Sequence, residues 1–153
     1  MRFSVSITAV LILFSGCSEP EESLKHEVEV VKGPLSLQFM ASKAVYEYAE
    51  PVEIELWLTN DSVDTLMISW PYMSGAMFHV EVLSGADEVV WINDAHESHL
   101  PIGFTAPMYP GDSYYGYCRV PDTLSTGRYK AVGNPNCDPE LLARIQFRVR
   151  PEK

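Results

Sequence analysis

Between Lys43 and Arg119 the sequence has no lysine and no arginine, while acids recur through the same window from Glu47 to Asp112. Over all 153 residues, 11 Lys and Arg stand against 21 Asp and Glu, a formal net charge of −10. A chain this acidic is repelled by phosphate backbones, which excludes nucleic acid as a partner. The acidic window reads first as solvated surface, with a cation or a basic partner as the alternative. Helical periodicity is nearly absent, apart from one short turn expected at Pro139 to Ala143. No Gly-x-Ser-x-Gly, phosphate-binding glycine loop, His-Glu-x-x-His or Cys-x-x-Cys is present. With no such set, neither an enzyme nor a cofactor is expected.

Long apolar runs are also missing. The longest candidate, Val5 to Phe14, would span roughly 15 Å as a helix, about half of a bilayer core. A short apolar core behind the single charge of Arg2 reads as an export signal over residues 1–16. Its end, Ser15-Gly16-Cys17, resembles the bacterial lipobox, with Phe14 where leucine is more usual. That resemblance implies acylation of Cys17 and attachment to a membrane through the lipid, which two or more chains make effectively permanent. Ser18 is not the Asp that usually retains lipoproteins in an inner membrane, so a source with two membranes favours the outer one. Residues 17–34 are then expected to be the lipidated cysteine and its polar tether, and 35–153 one folded domain.

Cysteine is scarce: three in all. With Cys17 carrying lipid, Cys118 and Cys137 form an even pair in an oxidising compartment. That favours a disulfide, two buried thiols being the alternative.

What remains alternates with period two. Leu35, Leu37 and Phe39 form one face; Val52, Ile54, Leu56 and Leu58 another, with Glu53, Glu55, Trp57 and Thr59 opposite. Leu66, Ile68 and Trp70, then Phe78, Val80 and Val82, repeat the pattern, as do Ile145, Phe147 and Val149 before a basic reverse face. Segments 88–91, 113–120 and 127–133 complete the set, whereas Asn93 to Gly111 reads as a long irregular connection. Short strands between turn residues predict an all-β, immunoglobulin-like antiparallel β-sandwich of about seven to nine strands.

Four stretches sharpen this: "EPVEIELWLTNDSVDTLMISW", "FHVEVLSGADEVVW", "YPGDSYYGY" and "LSTGRYKA". Together they resemble the intracellular proteinase-inhibitor (BsuPI-like) family, over about residues 35 to 133. The resemblance implies an immunoglobulin-like domain and raises protease inhibition as an activity. It assigns no inhibitory contact residue, and the export signal departs from a cytoplasmic inhibitor.

Two regions are candidates for contact. The connection from Asn93 to Gly111 carries His96, His99, Phe104, Met108 and Tyr109, apolar and titratable groups with little reason to be buried by strand pairing. It is the expected surface for an unknown protein or polymer partner in the envelope, a protease being one alternative. Phe104 and Met108 could instead plug the open end of the sandwich. Asp94, His96, Glu97 and His99 could share a metal, but such loops are commonly just solvated, and no metal site is assigned. The second region is the tyrosine run, where alternation puts Tyr115 and Tyr117 on one face and Tyr114 on the other.

Overall fold

The computed structural model describes residues 24–70, 77–93 and 103–152. Eleven strands occur among them: β1 Glu27–Lys32, β2 Leu35–Ala41, β3 Val45–Tyr46, β4 Val52–Asn60, β5 Leu66–Trp70, β6 His79–Ser84, β7 Val89–Ile92, β8 Phe104–Met108, β9 Ser113–Val120, β10 Gly127–Asn134 and β11 Ala143–Val149. They build a four-stranded sheet β1-β2-β4-β9, a five-stranded sheet β3-β11-β10-β6-β7, and a two-stranded ribbon β5-β8. All pairings are antiparallel except the two-residue match of β3 with β11. This is the expected immunoglobulin-like sandwich.

Period-two alternation places the core. β4 turns Val52, Ile54, Leu56 and Leu58 inward, each at most 1% exposed, while Glu53 and Trp57 face out. β11 does the same from the other sheet with Ala143, Ile145, Phe147 and Val149. Gly133 of β10 lets the sheets meet: a Cβ there would lie 2.8 Å from the Phe39 ring and 2.9 Å from Leu56. Tyr129 packs its ring on Phe147, with centroids 5.5 Å apart, and its hydroxyl donates to the Ser125 carbonyl at 2.7 Å. A tyrosine tied back to the turn before its own strand is a recurrent corner device of such sandwiches.

Turn chemistry explains the ends. Tyr109 to Asp112 close a turn with the Asp112 N–H on the Tyr109 carbonyl at 3.0 Å, Pro110 fixing the first corner and Gly111 taking φ +80°. Asn60, fully buried, donates to the carbonyls of Asp64 (2.8 Å) and Met108 (2.9 Å) and accepts from the Ser62 N–H and hydroxyl. One amide thereby joins β4, the 61–64 turn and the ribbon.

Four expectations need correction. The strands outnumber seven to nine because β1, β3 and β8 lack a local pattern that sets them apart from tether and loop. β1 begins at Glu27, inside the segment expected to be tether, and pairs Glu27 with Met40 through Lys32 with Leu35. β8 lies inside the connection expected to be irregular, against β5. Segment 139–143 forms no helical turn: it runs into β11 without one.

Candidate functional site

The outer face of the four-stranded sheet presents aromatics. The register of β4 against β9 sets Trp57 beside Tyr115, Glu55 beside Tyr117 and Glu53 beside Arg119. Trp57 and Tyr115 touch, with centroids 4.4 Å apart and ring planes at 45°. Trp57, Tyr115 and Tyr117 nonetheless remain 37%, 49% and 51% exposed. Three large rings held this open on one sheet face are unusual, because burying them would favour folding. Tyr114, one residue away, points inward and meets Trp70 edge-on at 5.2 Å, as alternation requires.

Carboxylates surround the rings. The Tyr117 hydroxyl donates to Glu53 Oε1 at 3.3 Å. Desolvation first, then the Glu53 carboxylate beside it, holds the Tyr117 phenol above its ordinary range, and Tyr115 is raised likewise with Glu55 nearby. In the neighbouring strands Gln38 stands beside Trp57 and Met40 beside Glu55, with Glu29 and Glu27 beyond them on β1. Aromatic faces amid negative charge attract cations by ring quadrupole and by Coulomb attraction together.

This face continues around an open edge. Among the described residues β9 has β4 on one side and no further strand in its sheet. Past that edge, a cleft of about 490 Å³ runs between β9 and the β6–β7 hairpin, bordered by Tyr115, Tyr117, Trp91 and Asn93. Asn93 secures its far wall, accepting from the Val80 N–H at 2.9 Å and donating to the Phe78 carbonyl at 2.8 Å.

The expected disulfide is not formed: Cys118 and Cys137 are both free thiols. Cys118 sits on β9 opposite Ile54 and lines that cleft. Cys137 lies in the connection after β10, buried beside Asp138, Trp70 and Phe104. Different elements thus carry the two sulfurs into different hollows. Burial pushes the Cys118 thiol up to about 12 and the Cys137 thiol up to about 11, so both stay protonated and poorly nucleophilic near neutrality.

Of the expected contact residues, Met108 is in the core at 0% exposure, because pairing with Leu66 turns it inward. It cannot meet a partner. Phe104 stacks on Trp70 at 5.1 Å yet keeps 39% exposure, and Tyr109 on the adjacent turn is 58% exposed. His96 and His99, like Asp94, Glu97 and Cys17, lie outside the described residues. Among those described, no three of His, Cys, Asp and Glu gather closely enough for a metal ion.

No family model and no curated protein matches this sequence. Solved structures do. A β-glucosidase from Listeria innocua in complex with isofagomine is 8% identical with a TM-score of 0.46, over 77% of this chain but 16% of its own. A CARDB domain from Pyrococcus furiosus, in complex with di-metal ions, is 16% identical with a TM-score of 0.43, over 77% of this chain and 94% of its own. The C-terminal domain of wzt is 10% identical with a TM-score of 0.44, over 83% and 80%. Similarity at this level concerns strand arrangement.

Proposed function

We propose that the protein is a non-enzymatic binding module of the cell envelope, tethered through an acylated Cys17, that captures a partner on the outer face of its four-stranded sheet. The observation that carries this is the exposed Trp57–Tyr115–Tyr117 surface ringed by Glu53 and Glu55. Tryptophan and tyrosine supply large contact area at low ordering cost and dominate binding energy where they lie at the centre of an interface. The carboxylates select a polypeptide partner bearing lysine or arginine, whose cations fit both the rings and the acids. The N-terminal reading adds the location: a lipid anchor in the envelope, in the outer membrane of a two-membrane source.

Capture from detergent-solubilised envelopes tests the proposal. A partner retained by the wild-type chain should be lost by Trp57→Ala and by Tyr115→Ala, both outward substitutions that leave the core untouched, and should elute with salt. Equal retention of that partner by wild type and both variants would refute this surface.

A further inference from the structure

The cations gather on the opposite side of the sandwich. β11 turns Arg144, Gln146 and Arg148 outward, and its register sets Arg148 beside Arg128, Gln146 beside Lys130 and Arg144 beside Val132. Lys25 joins them at the edge of β11, its carbonyl accepting from the Gln146 N–H at 2.7 Å. Lys25, Lys130 and Arg144 border one depression of about 710 Å³, with Asp87 on the same rim. Two carboxylates stand on the β6–β7 side of this face: Asp87 lies 2.6 Å from the Lys130 ammonium, and Glu81 lies 3.1 Å from the His79 ring. A chain of net charge −10 therefore carries a sheet face on which Lys25, Arg128, Lys130, Arg144 and Arg148 outnumber Asp87 and Glu81.

Neighbouring strands repeat at about 4.8 Å, so this face is a broad array of cations rather than a cup for one small anion. The chain also enters the fold here. Leu24 borders a small hollow shared with Arg128, Lys130 and Gln146. Cys17 is seven residues earlier, a reach of at most about 25 Å. Glu19, Glu21 and Glu22 in that segment oppose an anionic surface, so attraction to one must come from the sheet.

We propose that the outer face of the five-stranded sheet rests on anionic lipid headgroups, with Lys25, Arg144 and Arg148 as principal contacts. This rests on the lipid-anchor reading, and it turns the Trp57 face away from the membrane. Each basic side chain near such a surface adds attraction that salt weakens.

The test uses the full acylated chain on vesicles, with phenylglyoxal modification of each arginine read by mass spectrometry. On vesicles containing phosphatidylglycerol, Arg144 and Arg148 should react about fivefold or more slowly than on pure phosphatidylcholine. Protection should vanish near 0.5 M salt, on the order of a 4 Å screening length, and Arg119 on the other sheet should be unaffected. Unchanged Arg144 and Arg148, or equal protection of Arg119, would overturn the proposal. So would equal protection by soluble polyphosphate, which would assign the face to a polyanion. Failure to float with phosphatidylcholine vesicles would remove the anchor reading alone, since excess anionic vesicles still report protection.

Discussion

Gly116 lies against the ring of Phe78, so closely that a Cβ at this position would come within 2.3 Å of the ring. The contact joins β9, the edge of one sheet, to the residue before β6 in the other. Gly116→Val must push Phe78 out of the core or spread the sheets. Overpacking of this kind costs about 1–3 kcal/mol. Urea unfolding should show that loss, with Gly85→Ala, whose Cβ would meet only a carbonyl at 3.6 Å, close to wild type.

Asn60→Ala removes a buried amide and leaves all of its partners behind at once. The Met108 carbonyl loses its donor inside the protein, and the Ser62 N–H loses its acceptor. An unsatisfied buried group costs about 1–3 kcal/mol, so the variant should lose at least about 2 kcal/mol in denaturant unfolding. A loss within error would mean that water replaces the amide.

The thiols give a pH signature. Alkylation of the native protein at pH 8 should be slow at Cys118 and Cys137 and fast once it is unfolded. Both pKa values are raised in the fold above the ordinary value of 9.0. The protected thiols' contribution is therefore complete below pH 9 and declines as pH climbs toward 11 and 12, where the unfolded chain has already released its protons. Stability that rose over that window would contradict the burial of these groups.

Cys17→Ala should leave the chain unacylated, so that a wash near 0.5 M salt removes it from membranes, screening having eliminated attraction through the basic face. Detergent-phase partitioning checks this. A salt-washed variant that still enters the detergent phase would end the lipoprotein reading.

Much of the sandwich is written in period-two patterns. β2, β4 and β11 bury the residues that alternation assigns to them, because a buried strand face tolerates little else. β1 is not legible locally, because Glu27-Val28-Glu29-Val30 alternates with acids that continue from the preceding segment and resembles solvated tether. β8 is not legible either, because Pro107 and its mixed composition resemble a loop, and its pairing with β5 is a distant contact. Tyr115 and Tyr117 were legible as one face of a strand, and Trp57 as outward on another. Their union depends on the β4–β9 register, which no local pattern encodes. The same holds for the basic face, where Arg144 and Arg148 are visible on one strand but Lys25 and Lys130 reach them only through pairing.

The entry of the chain has a mechanical consequence. The Lys25 carbonyl bonds Gln146 in one sheet, and the next carbonyl, that of His26, bonds Ala41 in the other at 2.8 Å. A pull entering at Leu24 meets the local bond from the His26 N–H to the Leu24 carbonyl at 3.1 Å and then these two. Among the described residues β1 has β2 as its one strand neighbour and is the next element to be loaded. Load arriving at Lys25 and His26 therefore passes directly to β11 through Gln146 and to β2 through Ala41, while the Trp57–Tyr115 pair sits on β4 and β9, beyond β2 in the sheet.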